Sequence, residues 1–539
     1  MSLSFPMPHR SIITRLLQCL AFASTAMPLH AADAPAPRAA HVILVVWDGM
    51  RPDFINAQNT PNLQALLQRG TFFANNHSFW PTTTEVNGTV LATGVFPGRS
   101  KVVANREYRP EISPRGPIAT EAEETVRKGD ELTGGHYLGA LTVAEIARTA
   151  GQTTAIAGTK PVALLHDRAA ERPPEPRSVI VFAGKTLPAS LLAPITEALG
   201  PFPPYVANPL DPKPNTDGNR WTTRALVEHL WHDGVPRYSV LWLSDPDFPQ
   251  HLTAPGSPAA LAGIHDSDTN LGTVVAELEK RGELDKTDIF VVSDHGFSTI
   301  ERSVDPVNYY NDHDVAVSKQ FNFPPQSGQV MSVSVGGAAL LYVIGHDPAV
   351  TARLVDLLQQ SDFAGPIFTR DALPGTFALS TAHIDSPGAA DIVFSFRWSD
   401  GANAFGAPGL IVAENKAGLG MHGTLSKFDV HNTLVAAGPD IRAGFRNGFP
   451  TGNIDVAPTI LHLLQLTASD GVDGRVLTEA FADTPLPTEK PVTKRVEAAH
   501  EITTGVIFKD RHTWQQYLQT TTFAGHTYFD EGNAIEQGH

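Results

Sequence analysis

Short runs of β-branched, leucine and aromatic residues recur along the chain, and three of them end on acidic side chains. His41-Val-Ile-Leu-Val-Val-Trp47 leads into Asp48, Tyr238-Ser-Val-Leu-Trp-Leu243 into Asp247, and Asp288-Ile-Phe-Val-Val-Ser293 into Asp294. Unbroken apolar runs of this length read as strands buried on both faces of a parallel sheet. Between them the spacing turns helical. Leu63, Leu66 and Leu67 share a face with Gly70 as a stop, and further helices are expected over 84–93, 141–150 and 455–464. A strand over 153–157 is expected after the helix over 141–150, and another over 433–438. The alternation predicts a three-layer α/β/α fold around a mostly parallel central sheet.

The texture changes twice. Pro-rich pieces such as Arg172-Pro-Pro-Glu-Pro176 and Pro201-Phe-Pro-Pro204 mark 161–237 as an irregular insertion. Residues 301–410 are also less regular, with strands expected over 338–344 and 391–396. Both regions are read as cap insertions that shape substrate access. The catalytic core then spans 41–470, after a linker over 32–40, and 471–539 is a C-terminal extension without a readable pattern.

Composition adds two constraints. With 42% hydrophobic and 18% charged residues over 539 positions, the chain is an ordinary globular one. A formal charge of −16 argues against a duplex nucleic-acid partner, which needs a basic footprint, but not against small phosphate esters, because a bound metal overrides the global field locally. At the N-terminus, His9, Arg10 and Arg15 precede an apolar stretch from Leu16 to Met27 that is too short to span a bilayer. Residues 1–31 therefore read as a secretory signal peptide cleaved near Ala31 or Ala32, giving a periplasmic or secreted protein with no membrane attachment. The single Cys19 lies inside it, so the mature protein has no disulfide.

In an open α/β sheet, ligands bind beyond the carboxyl ends of the strands. That rule brings Asp48, Asp247 with His251, and Asp294 with His295 to one edge, with His422 of Gly420-Met-His-Gly423 joining them. The set is large enough for two divalent metals. Each motif is weak alone, since Asp-x-x-x-His pairs and Asp-His-Gly turns are common; the joint placement after strands carries the argument. A second element is Ser78-Phe-Trp-Pro-Thr-Thr-Thr84-Glu-Val-Asn87, three threonines ahead of a helix start. A helix N-terminus suits an anionic phosphoryl group, and a hydroxyl there serves as a nucleophile once a metal lowers its pKa. The same threonines also suit N-capping, and the residues alone do not choose among Thr82, Thr83 and Thr84.

Taken in order, these motifs resemble the nucleotide pyrophosphatase/phosphodiesterase branch of the alkaline phosphatase superfamily. Asp48-Gly-Met-Arg51 is similar to its opening Asp-Gly-x-Arg, and Pro81-Thr-Thr-Thr84-Glu-Val-Asn87 with Leu91-Ala-Thr-Gly94 to its nucleophile segment. Pro246-Asp-Phe-Pro-Gln-His251, Ser293-Asp-His-Gly296 and Gly420-Met-His-Gly423 are similar to its metal motifs. The resemblance implies an alkaline phosphatase-like fold and a secreted hydrolase of phosphoric diesters, with a small phosphate ester or nucleotide as substrate. It implies Thr84 as nucleophile, a phospho-threonine intermediate, and Asn105 on a phosphoryl oxygen. It also implies two zinc ions, one held by Asp48, Asp294, His295 and the Thr84 oxygen, the other by Asp247, His251 and His422.

There are departures. The family's proline before the helical Asn is Val86, Glu85 adds a negative charge beside the nucleophile, and Ser100-Lys101 replaces a His-Gly pair. Related monoesterases carry a Lys-x-Arg pair for the extra phosphate charge; here the stretch is Lys160-Pro-Val162, which makes Lys160 a substrate-contact candidate and favours diesters. The competing readings are a phosphomonoesterase or a phosphonate hydrolase on the same site, or a non-catalytic binding protein that kept the fold. The sequence leaves the oligomeric state open.

Overall fold

In a computed structural model, the run from His41 to Trp47 forms the central strand, β1, and every residue after His41 is buried. The other strands of its sheet are β2 (Gly70–Phe73), β3 (Thr154–Gly158), β4 (Ser178–Phe182), β5 (Lys185–Leu187), β6 (Tyr238–Leu243), β7 (Thr287–Val292), β8 (Leu434–Ala437) and β9 (Phe445–Asn447). They lie in the order β9-β2-β8-β7-β1-β6-β3-β4-β5. The run β7-β1-β6-β3-β4 is parallel throughout, while β8 pairs antiparallel with both of its neighbours and β5 turns back on β4. The structure describes residue 1 and residues 37–535, except 173, 176 and 505–509; the expected signal peptide lies outside the described residues.

Side-chain alternation along β1 divides the core. Val42, Leu44 and Val46 pack on one face against Ile146, Ile460 and Leu464. Ile43, Val45 and Trp47 pack on the other against Trp221, Leu226, Ile264 and Leu271. Period 2 in a strand therefore feeds two helical layers, giving a large mixed sheet with helices on both sides. Four helices matter below: α1 (Thr84–Thr93), α2 (Asp247–Leu252), α3 (Pro258–Arg281) and α4 (Val456–Leu464). All of α1 is buried, which explains its lack of a polar face.

The cap reading of 161–237 does not hold. β4 lies inside that stretch and pairs with β3 in register from Thr154↔Ser178 to Gly158↔Phe182. Trp221, Leu226, Leu230 and Trp231 from the same stretch fill the core layer under β1. The proline-rich flanks concealed a five-residue apolar strand, Ser178-Val-Ile-Val-Phe182. Residues 301–410, by contrast, build their own sheet of six strands, including Val330–Ser334, Ala338–Val343, Ala364–Thr369 and Ile392–Phe396. Its Val335–Ala338 turn abuts the His422 segment, where the Gly337 N–H donates to the His422 carbonyl at 2.7 Å.

The C-terminal extension is also regular. It forms an antiparallel sheet of β10 (Val492–Thr504), β11 (Asp510–Phe523) and β12 (His526–Ala534). The Gln516 amide exchanges two hydrogen bonds with the backbone of Ile367, and Tyr528 Oη donates to Asp455 at 2.8 Å, just before α4. Among the described residues, no helix is long and apolar enough to cross a membrane.

Candidate metal centre and nucleophile

Parallel register sets the site. Trp47 lies opposite Leu243 and Val46 opposite Val292, so β1, β6 and β7 release their next residues at one edge. Asp48, Asp247 and Asp294 emerge there, each buried. Each carboxylate then divides its two oxygens. Asp48 Oδ2 accepts from Trp242 Nε1 at 2.9 Å and from Lys160 Nζ at 3.0 Å. Asp247 Oδ2 accepts from Lys160 Nζ at 2.9 Å. Asp294 Oδ1 accepts from the Gly49 and His295 N–H groups, both at 3.0 Å. The remaining oxygens, Asp48 Oδ1, Asp247 Oδ1 and Asp294 Oδ2, are buried without a well-directed hydrogen bond.

The imidazoles are divided in the same way. Nδ1 of His295 meets the Gly296 carbonyl at 2.9 Å, Nδ1 of His422 the Thr82 carbonyl at 2.8 Å, and Nδ1 of His251 the Gly420 carbonyl at 3.3 Å. A carbonyl accepts only, so each Nδ1 carries a proton, and in the neutral ring each Nε2 presents a lone pair. Those Nε2 atoms face the free oxygens: His295 lies 3.2 Å from Asp294 Oδ2 and 3.6 Å from Asp48 Oδ1, and His251 and His422 lie 3.0 and 3.5 Å from Asp247 Oδ1. Acceptors facing acceptors at this range fit a cation between them.

Two groups are close enough to share an ion: Asp48, Asp294 and His295, and Asp247, His295 and His422, with ligand atoms in each group within 4.8 Å of one another. His295 therefore stands between the two, its ring stacked on His422 at 3.6 Å, whereas the resemblance gives it to the first ion alone. His251 joins the second group through Asp247 and is the open side of the centre, with its side chain 31% exposed.

Burial and the neighbouring Asp294 push the Asp48 carboxyl well above its usual range, and burial lifts Asp294 to about 6 against the pull of Lys160. Asp247 behaves oppositely: burial raises it, but Lys160 and then His251 outweigh that and hold it well below the usual range. Burial keeps His295 and His422 below the ordinary imidazole value, and for His422 the adjacent His295 adds to it. Both are neutral at pH 7, the form that ligates metals.

The three threonines separate. Thr82 Oγ1 donates to the Thr424 carbonyl at 2.9 Å, Thr83 Oγ1 turns to Pro81, and Thr84 Oγ1 lies 3.3 Å from His295 Nε2. Thr84 opens α1, whose N-cap residue Thr83 makes no side-chain cap bond. Asn105 Oδ1 accepts from the N–H of Glu85, the residue after Thr84, at 3.1 Å, which leaves its NH2 as its donor. Asn453 Nδ2 ties the segments together, donating to the Asp294 carbonyl at 2.8 Å and to Asn87 Oδ1 at 3.2 Å.

Residues 42–416 match the model of the type I phosphodiesterase/nucleotide pyrophosphatase family. The chain belongs to this family. It is therefore a metal-dependent phosphoric ester hydrolase of the phosphodiesterase type with an alkaline phosphatase-like fold. Among curated proteins, none matches it in sequence. Similar solved structures include murine ectonucleotide pyrophosphatase/phosphodiesterase 5 as an inactive threonine-to-alanine variant in complex with AMP, at 17% identity and TM-score 0.55, covering 79% of this chain and 96% of that one. The human counterpart is 18% identical with TM-score 0.55, covering 80% and 96%.

Several residues of this phosphodiesterase's site carry no motif. Trp242 alternates like any strand residue, and only the register shows that its indole reaches Asp48. Glu85 does not add a plain negative charge: burial, followed by the nearby Glu121 carboxyl, pushes it well above its usual range. Tyr205, from the proline-rich stretch, lies on the Phe248 ring with centroids 4.6 Å apart, and Lys160 Nζ is 5.2 Å from that ring's centroid.

Proposed function

We propose that this phosphodiesterase is a secreted two-zinc enzyme that cleaves nucleotide-like phosphoric diesters through a phospho-threonine intermediate on Thr84. The observation that carries the reading is the split of every ligating group: one atom of each carboxylate and imidazole is bonded to the scaffold, and the other is turned toward a shared centre, where the three carboxylate oxygens have no hydrogen-bond partner. Asp48, Asp294, His295 and the Thr84 oxygen would hold one ion, and Asp247, His251 and His422 the other, with His295 between them. Two zinc ions there supply Lewis acidity at the attacking and leaving oxygens.

The chain's own residues do the rest. The Thr84 hydroxyl gives up its proton, Oγ1 attacks phosphorus, the bond from phosphorus to the leaving oxygen breaks, that oxygen departs and is protonated to the alcohol, and a threonine phosphodiester remains. Water then attacks the same phosphorus and returns the Thr84 hydroxyl. The first N–H groups of α1, apart from that of Glu85, which Asn105 Oδ1 holds, and the Asn105 NH2 donate to non-bridging oxygens as charge develops on them. Diester preference is supported by two features. Val162, at the position where monoesterases have arginine, is fully buried, and Lys160 is committed to Asp48 and Asp247. The Tyr205–Phe248 pair beside Asp247 offers a flat aromatic face for the leaving group, in keeping with the AMP complex of the murine relative. Export through the N-terminal signal completes the reading.

The test is a panel of bis-nitrophenyl phosphate, nitrophenyl phosphate, a phosphonate and a dinucleotide, run on the wild type and Thr84→Ala. The expected outcome is highest kcat/KM on diesters, abolished in Thr84→Ala with bound zinc unchanged. A higher kcat/KM on the monoester or phosphonate would move the enzyme to the corresponding competing reading.

A further inference from the structure

Lys160 comes off the end of β3, two strands away from β1 in the sheet, and reaches past the end of β6 to both of its acidic partners. Its ammonium lies 3.0 Å from Asp48 Oδ2 and 2.9 Å from Asp247 Oδ2, with the side chain 12% exposed. These are the outward oxygens; the inward ones, Asp48 Oδ1 and Asp247 Oδ1, are the atoms free for a metal. One cation thus holds a carboxylate from each metal group and fixes which oxygen each turns inward. The two carboxylates differ in their other support. Asp48 Oδ2 also accepts from Trp242 Nε1, whereas among the described residues Asp247 Oδ2 has Lys160 alone.

We infer that Lys160 is a positioning residue that orients both metal-binding carboxylates, with the Asp247 site depending on it more than the Asp48 site, and that it is not the contact for the substrate's phosphoryl group. The inference rests on the two-zinc reading and deepens it. Groups that hydrogen-bond a ligating side chain from outside are worth roughly 10–100-fold in metal affinity. Lys160→Met keeps the length of the side chain and removes the ammonium; Lys160→Arg restores a cation with paired donors.

The experiment is zinc titration of the full chain against a chromophoric chelator for the wild type, Lys160→Met, Lys160→Arg and Asp247→Ala, with near-ultraviolet circular dichroism to confirm folding. The wild type is expected to bind two zinc ions. Lys160→Met is expected to weaken one of them by about 10–100-fold and the other by less, with Lys160→Arg recovering part of the loss. In an Asp247→Ala background, where only the Asp48 site remains, Lys160→Met is expected to show the smaller effect, because Trp242 still holds Asp48. At saturating zinc, Lys160→Met is expected to keep the wild-type KM for diesters. Unchanged or tighter zinc binding in Lys160→Met, or a raised KM at saturating zinc, overturns the inference and returns Lys160 to substrate contact. Fewer than two zinc ions in the wild type instead overturns the two-zinc reading beneath it.

Discussion

Asp247 opens α2 with one oxygen on Lys160 and the other facing the Nε2 atoms of His251 and His422. Among the described residues, no other offers a carboxylate to the second metal group, so Asp247→Ala is expected to lower bound zinc by about one ion per chain, measured by metal analysis after gel filtration. Retention of two ions in that variant would remove Asp247 from the ligand set. At this scale the sequence was informative where chemistry is local. The acidic residues after β1, β6 and β7 were readable because each follows an apolar strand, and the parallel register brings them together. It was silent where a partner arrives from elsewhere: Trp242 on Asp48, Glu121 on Glu85 and Thr82 on His422 join residues far apart in the chain, through atoms that no motif specifies.

Among the elements, the turn after β7 shows why its motif ends in glycine. A Cβ on Gly296 would lie 2.1 Å from the Phe428 carbonyl oxygen and 2.9 Å from that of His431, with backbone on both sides unable to yield. Gly296 also supplies the carbonyl that orients His295. Gly296→Ala is therefore expected to cost about 1–3 kcal/mol of stability and to weaken zinc binding by roughly 10-fold or more. Thermal unfolding with and without zinc checks both: the zinc-induced rise in Tm should shrink along with the Tm itself. Element reading from sequence succeeded for α1, whose span from Thr84 to Thr93 follows directly from its start signal and its αL glycine, Gly94. It failed for β4, because a buried strand of five residues between proline-rich loops has the same local texture as an insertion. It failed again for β10 to β12, whose polar and threonine-rich faces carry too few apolar positions to show a period.

For the molecule as a whole, buried imidazoles link stability to pH. His166 sits under the site with its ring edge-on to Trp242 at 5.7 Å, and burial brings its pKa down to about 4. Its folded value is below the unfolded one, so its contribution is complete above about pH 6.5 and is lost as the pH falls toward 4. The loss amounts to at most ~1.4 kcal/mol per pH unit across that window. His166→Phe, which keeps an aromatic ring against Trp242, is expected to flatten the pH dependence by about one proton. Urea unfolding at pH 7.5 and 5.5 reads this, and identical slopes in the two proteins would show that His166 does not titrate in the window.

The strand order also sets a sequence of events as the chain emerges. β1 finds its first neighbours only when Tyr238 and Thr287 have been made, and β2 waits for Ala437. Until then the Val42–Trp47 run has no sheet to enter, the kind of exposed apolar segment that holdase chaperones bind. Such long-range pairing makes for slow folding. The group of Asp247, His295 and His422, too, stays open until His422 emerges, so an ion held there would enter late, as a lock on a nearly finished chain rather than as a seed for its folding.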